Sequence, residues 1–526
     1  MKRNRPRPLE SPMSRYSRAF DATAEEPETH QDQPDCIDGL TVGALIYLAV
    51  PNLIFLFGWF RLPVALLLCG AMLFFLYKLP GAAAINWRHE HSATAVALIL
   101  TIGSAWAVFG GGSHFMYANP DWVVRDAVLG DLINQKWPVH YLSPDGLQLV
   151  LRSAIGYFLP LAIFGSIFGV ANLDLAIFAW TATGVCLFLF LLPLPRQGGW
   201  PLFLALLLAV FFSGMDFLGQ LISTQSLPMF PLRLEWWAPL SYPSLSVQLL
   251  WAPNHCLPIW IGTLLLLRYW NRERFLNISA SVLPLTLIWT PFAALGLLPF
   301  VLLGAFGHLR KFHLRGMPWS SIAAAAVFSL PVGLFLLLDI GNIDGGVVNQ
   351  AASQVASPVA SAVPPVSLYY YLLFITCEFL LLAIVLAPHA RKNRETFGLA
   401  VLILIALPLI RFGPSNDLLL RLSTPPLVIL LVTCLQTLFA ASQPAFRSTR
   451  WIAWLFLAIG AHSGFNELWR AASYQRWRPD YRVTLAERQG GHPAPHYVGA
   501  VGNSRLQSLL KPISRPNYER GLEAQP

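Results

Sequence analysis

Charge is what this sequence has least of. Only 12% of its 526 residues are charged while 55% are hydrophobic, against about 25% charged in ordinary globular chains. A soluble core cannot hide that much apolar surface in long runs, whereas lipid can. The runs Leu202 to Ser213, Ile259 to Leu267 and Leu427 to Leu438 carry no charge at all. They lack the wet face that an amphipathic period would leave. Paired cysteines are missing too. Cys36, Cys69, Cys186, Cys256, Cys377 and Cys434 stand singly, with no CxxC and no close histidine, which excludes a disulfide framework and a zinc site and leaves small membrane hydrophobes. No repeat of the transporter kind stands out. The net charge of +9 gathers in short loops and tails, the pattern of a membrane protein orienting itself rather than of a nucleic-acid binder.

What is present is a series of apolar segments. Unpaired backbone groups in hydrocarbon cost several kcal/mol each, so the segments are expected to be helices, and long continuous runs do not suit barrel strands. The expected fold is all-α, a polytopic bundle of about 12–13 spans over 40–60, 62–80, 94–111, 173–193, 200–214, 251–269, 278–291, 294–308, 318–338, 367–387, 397–411, 422–440 and 450–466. A span takes roughly 20 mostly apolar residues. The short loops with Arg88, Arg196, Arg268, Arg310, Arg391 and Arg447 then share one side, the cytoplasm. The long loops 112–172, 215–250, 339–366 and 411–421 fall on the other.

Three parts follow from this division. Residues 1–38 are expected as a solvated cytoplasmic tail, with no cleavable leader because the first apolar run starts late and continues into further spans. Residues 39–466 form the membrane domain and 467–526 a polar C-terminal tail, which this count lands on the outer side against the pull of Arg470, Arg476, Arg478 and Arg482, so its side stays open. Gly156 to Val170 is apolar enough to span, but counting it would invert every later basic loop. It is therefore expected as a short interfacial helix. The segment Asn349 to Ser367, rich in Ala, Ser, Val, Gln and Pro, reads as a loose outer loop or a lid over a substrate.

Chemistry concentrates in the outer loops. In the first, Asp121 follows a span and the Gly110-Gly111-Gly112 patch. Helical spacing puts Asp121, Arg125 and Val128 on one face, with Leu129 and Leu132 on another. A carboxylate with an arginine four residues on can serve as a general base beside a cation, or simply cap a helix. Asp126 lies in the same stretch. Asp216 closes a span and His255 opens the next. The two could form an acid–base pair or take a divalent metal, but two ligands fall short of a metal site and no metal or other cofactor is expected. Arg411 and Arg421 flank a loop containing Asn416 and Asp417, and a guanidinium fork suits phosphate. Arg233 and Glu235 precede Trp236-Trp237, a pair suited to the interface belt or to stacking on a sugar ring.

The segment from Asp121 to Trp137, with Arg125 between, resembles the first periplasmic loop of the glycosyltransferase C (GT-C) superfamily, in its aminoarabinose-transferase-like branch. Gly156-Tyr157-Phe158-Leu159-Pro160-Leu161 is similar to the family's Pro-containing helix on the membrane surface. Trp289-Thr290-Pro291-Phe292 looks like its hairpin tip at the active site. The chain departs from the pattern at Trp122, where a second acidic residue is usual, and at Pro160, where two prolines are usual. The likeness covers about the first 310 residues. The chain is also similar to a group of bacterial membrane proteins without an assigned activity, through Ser213-Gly214-Met215-Asp216, Trp251-Ala252-Pro253-Asn254-His255 and Asn416-Asp417 with Arg421.

The resemblance implies a multi-pass enzyme of the bacterial inner (cytoplasmic) membrane. Such an enzyme moves a sugar from a polyprenyl-phosphate carrier to an acceptor at the periplasmic face. Asp121 is then the base, and Arg421, with Arg125 or Arg411, holds the donor phosphate. Partners would be the lipid-linked sugar and membrane lipids, with no nucleic acid; the sequence does not indicate an oligomeric state. Two rivals remain. A transporter or flippase needs ionisable residues within several spans, where Glu378 is the main instance. A non-catalytic membrane subunit of envelope assembly would leave Asp121 replaceable.

Overall fold

A helix apolar on every side is stable only where its outward face meets lipid or protein rather than water, and such helices dominate this chain. The computed structural model describes residues 37–79, 85–86, 91–143, 145–195, 198–228, 234–312, 317–342, 345–347, 367–412, 416–439, 447–502 and 505–512. Nearly all of the expected cytoplasmic tail, Arg233, and the loop at 349–367 apart from Ser367 lie outside the described residues. Among the described residues helix makes up 72% and strand 4%, an all-α bundle with small sheet additions.

The first helices are α1 (Gly39–Trp59), α2 (Leu62–Tyr77), α3 (Ala93–Val108), α4 (Asp121–Asn134), α5 (Leu159–Phe168) and α6 (Leu173–Leu191). There follow α7 (Trp200–Val210), α8 (Asp216–Thr224), α9 (Leu245–Trp251), α10 (Pro253–Arg268), α11 (Phe275–Thr286), α12 (Pro291–Phe312) and α13 (Trp319–Leu336). The last are α14 (Leu368–Leu386), α15 (Arg394–Ala406), α16 (Asp417–Leu422), α17 (Thr424–Phe439), α18 (Arg447–Ser473) and the short α19 (Leu485–Arg488). A helix therefore stands at each of the thirteen expected segments. Six described helices are long and apolar enough to cross a membrane: α1, Val170–Leu191, Pro291–Lys311, α13, α14 and Asp417–Phe439. The others fall short for local reasons. Helices α2, α3, α7, α10, α11 and α15 run 11–16 residues, below the roughly 20 a span requires, and α18 carries charged ends.

Helix α10 forms the centre, packed by α6, α11, α12 and α17 with Trp260 fully buried. Burial separates inner from outer helices: the Asp417–Phe439 window is 78% buried and that of α13 only 33%. Helix α13 turns Val327, Leu330 and Leu334 outward, as a lipid-facing helix does. At one end of the bundle Asp38 accepts hydrogen bonds from Thr41 N–H (2.7 Å) and from Arg268. Arg274 and Lys311 lie at this end too, donating to the carbonyls of Leu79 and Asn271.

The opposite end collects the long loops. Strands β1 (His140–Leu142) and β2 (Gln148–Leu151) form an antiparallel hairpin. Between α13 and α14, β3 (Gly345–Val347) pairs with β4 (Ile410–Phe412). The polar C-terminal segment is a folded element: β5 (Val498–Ala500) adds to β2, completing the order β1-β2-β5. Arg152 pins it, donating to the carbonyls of Val498, Leu336 and Pro495 at 2.9–3.1 Å. Trp477 and Arg476 donate to the carbonyls of Ala118 and Phe115. The tail thus packs against the first long loop, which answers a question that the sequence leaves open.

Candidate active site

Two close approaches set the geometry of the outer end. Gly156 lies so near the turn after α11 that a Cβ there would sit 2.8 Å from the Trp289 backbone, and its N–H bonds Ile288 O at 2.9 Å. The Trp289 indole in turn donates to Leu48 O at 3.0 Å and stacks on Trp180 with ring centroids 5.9 Å apart. The turn from α11 to Pro291 is therefore fixed against α1, α5 and α6. The glycine patch does the same for α4. Side chains at Gly111 or Gly112 would reach within 2.4 Å of the Trp122 ring, and the Trp122 indole donates to Leu250 O at 2.9 Å. Trp122 is thus a packing anchor that orients α4, which accounts for an aromatic residue beside Asp121.

Between these anchors lies a cavity of about 880 Å³. Asp121, Arg125, His255, Asp417 and Arg421 line one part, with Asn254. Asp121 occupies the first turn of α4, where a negative charge faces the helix dipole favourably. It does not cap the helix: its own N–H donates to the Asn119 side chain at 3.1 Å. Its carboxylate is about half exposed and receives Arg125 Nη2 at 3.2 Å. Arg421 lies 3.9 Å from Asp417, with a side chain 12% exposed. Arg125 and Arg421 are close enough for their charges to interact with each other and with His255. Arg125 Nη1 and Arg421 Nε, both buried, have no hydrogen-bond partner among the described residues. His255 Nδ1 meets Thr290 Oγ1 at 2.8 Å, linking the α10 entry to the tip before α12.

The opposite part of the cavity is apolar: Leu283 and Leu287 below, Leu295 and Leu298 of α12 on one side, Leu336 and Leu337 on the other. Helices α12 and α13 each pack on α11 rather than on each other, so a groove runs between them. Leu295, Leu298 and Leu337 line this part and keep much of their surface exposed, so the groove is open and is flanked by two membrane-length helices.

The other sequence candidates lie elsewhere. Asp126 faces away from the cavity and meets His114 Nε2 at 3.0 Å, both side chains almost fully buried; burial pushes its carboxyl up, opposed by His114. Asp216 is fully buried and accepts from Ser213 (3.1 Å), Ser463 (2.6 Å) and the Trp237 indole (3.3 Å), which also donates to Glu378 at 3.2 Å. The expected pairing of Asp216 with His255 does not form. Arg411 is exposed on β4 and stays out of the cavity wall. Asn416 is spent on the backbone, its side chain accepting Phe412 N–H at 3.2 Å. Glu235 does line the cavity, and burial together with the charge of Asp216 holds its carboxyl well above the ordinary range. Among the described residues no group of three or more His, Cys, Asp or Glu is placed to hold a metal ion.

Sequence reasoning missed His496 and Tyr497, which reach the cavity from the C-terminal segment. No local signal marks them; only the pairing of β5 with β2 brings them there. Asn254 was visible within the Trp251-to-His255 motif but was not singled out. No family model matches this chain, and comparison with curated proteins and with solved structures finds no match either.

Proposed function

We propose that this protein is a GT-C-like glycosyltransferase of the bacterial inner membrane, moving a sugar from polyprenyl phosphate to an acceptor at the periplasmic face. One observation carries the reading: a single cavity joins two buried arginines with unpartnered N–H groups to an apolar groove between membrane-length helices. That combination matches a phosphate on a long hydrocarbon chain. The acceptor hydroxyl attacks the anomeric carbon, the bond from that carbon to the phosphate oxygen breaks, and configuration inverts. Asp121 takes the hydroxyl proton. Arg421 and Arg125 stabilise the charge that grows on the departing lipid phosphate, where preorganised donors act most strongly. Lipid phosphate is itself a capable leaving group, so the step requires no metal.

The test is transfer of labelled sugar from a panel of polyprenyl-phosphate sugars, in membranes bearing wild type or Asp121→Asn. Transfer by wild type that drops at least 100-fold in a normally folded Asp121→Asn protein supports enzyme and base together. Equal transfer removes Asp121 from the mechanism, and no transfer across the panel sinks the reading. A lipid-phosphate transporter is the second reading, favoured by the buried Asp216 and Glu378 carboxyls that share the Trp237 indole. It predicts lipid-phosphate movement across vesicles without sugar transfer.

A further inference from the structure

The same cavity has a second polar region that the arginines do not explain. Glu235, in the turn Leu234–Trp236, is only 4% exposed. Its Oε1 accepts the Ser244 N–H at 2.9 Å, an anchor at the start of α9. Its Oε2 is buried without a hydrogen-bond partner among the described residues, on a side chain that lines the cavity. A buried, unmatched oxygen is costly, and the cavity is where its partner can come from.

The surroundings say what that partner is. The charges bearing on Glu235 are those of Asp216 and Glu467, both acidic. Those acidic neighbours disfavour a phosphate there, and the guanidinium beside Glu467, that of Arg470, is already paired with it. Gln248 also lines the wall, but its amide is spent, donating to Pro243 O at 2.8 Å and accepting the Trp260 indole at 2.9 Å. Trp236, half exposed beside Glu235, offers a flat apolar face at the same wall. A buried carboxyl oxygen next to an indole face is suited to a ring that carries hydroxyls on its rim and C–H groups on its faces.

We infer that Glu235 and Trp236 form a sugar-binding subsite, separate from the phosphate-binding arginines, in which Glu235 Oε2 exchanges a hydrogen bond with a hydroxyl of a neutral sugar ring. The inference rests on the proposed glycosyl transfer for its purpose, but not for its test.

A hydrophobic carbodiimide reacts with a carboxylic acid that it can reach in a low-dielectric site. The acid O–H adds across a C=N bond to give an O-acylisourea, which rearranges to a stable N-acylurea. Dicyclohexylcarbodiimide applied at pH 7 to the full chain in nanodiscs, followed by peptide mass spectrometry, should label Glu235 at least 5-fold more than the exposed Glu273. Octyl β-glucoside below its micellar concentration should cut that labelling at least 5-fold, with monooctyl phosphate and the non-nucleophilic octyltrimethylammonium much weaker. A further arm compares polyprenyl phosphate with polyprenyl-phosphate glucose. Protection by the sugar-bearing lipid beyond that of the bare phosphate puts the donor's sugar at Glu235. Protection by octyl glucoside alone puts the acceptor's sugar there. No labelling at Glu235, labelling that glucosides leave unchanged, or stronger protection by octyltrimethylammonium overturns the subsite. Because this readout needs no turnover, protection without transfer would overturn the enzyme reading and leave the subsite standing.

Discussion

Helix α4 presents the same residue type to two environments, and the contrast separates chemistry from architecture. On one face Asp121 and Arg125 line the cavity, with Asp121 half exposed and an Arg125 nitrogen unpartnered. Further along the helix, past the cavity wall, Asp131 has both oxygens in use: Tyr141 Oη at 2.6 Å, Leu485 N–H at 2.9 Å and Gln135 at 2.7 Å. Those bonds tie α4 to the β1–β2 hairpin and to the C-terminal segment. A buried polar network with all members satisfied specifies a fold. Buried donors left over beside a cavity are an invitation to a ligand.

The largest expected effect lies on the cavity face. Arg421→Ala should lower sugar transfer about 1,000-fold, the scale of losing one preorganised transition-state donor, while its thermal unfolding in detergent stays within a few degrees of wild type. A large loss of stability instead would make Arg421 a structural residue.

The reverse split is expected at Asp131. Asp131→Ala should cost roughly 3 kcal/mol of stability by stranding the buried Tyr141 hydroxyl and Leu485 N–H, and a protein rescued by lower temperature should retain most of its transfer. The pH dependence sharpens this. Burial raises the Asp131 carboxyl above its ordinary value, so its stabilising term is full below about pH 4, the unfolded carboxyl range. That term shrinks as pH rises through the raised folded value. The stability gap between wild type and Asp131→Asn, followed by thermal melts across pH, should therefore narrow as pH rises. A gap that widens would mean that the folded carboxyl is lowered instead.

The smallest effect belongs to Arg411. It is exposed on β4 and outside the cavity wall, so Arg411→Ala should change transfer less than about 2-fold. A loss comparable to that of Arg421→Ala would place Arg411 on the donor after all.

Much of the candidate site could be read because α4 is periodic. Spacing alone put Asp121, Arg125 and Val128 on one face, and all three line the cavity. The same spacing turns Asp126, five residues on, about 140° away from Asp121, but only the fold shows what it meets there, His114 from twelve residues upstream. Asp216 and His255 looked adjacent through their places at successive span ends. Their partners are instead Ser463 of α18 and Thr290 in the turn before α12.

The sequence by itself determined that this protein is a multi-pass helical one, because apolar composition and run length translate directly into lipid-compatible helices whose backbone bonds are satisfied within each segment. It also marked the outer loops as the place for chemistry, since charge is too costly elsewhere. Only the tertiary structure decided which charges share a cavity, that an apolar groove joins them, and that the C-terminal segment closes the wall through Tyr497 and His496. Those relations depend on contacts between residues hundreds of positions apart, and such contacts leave no period in the sequence to read.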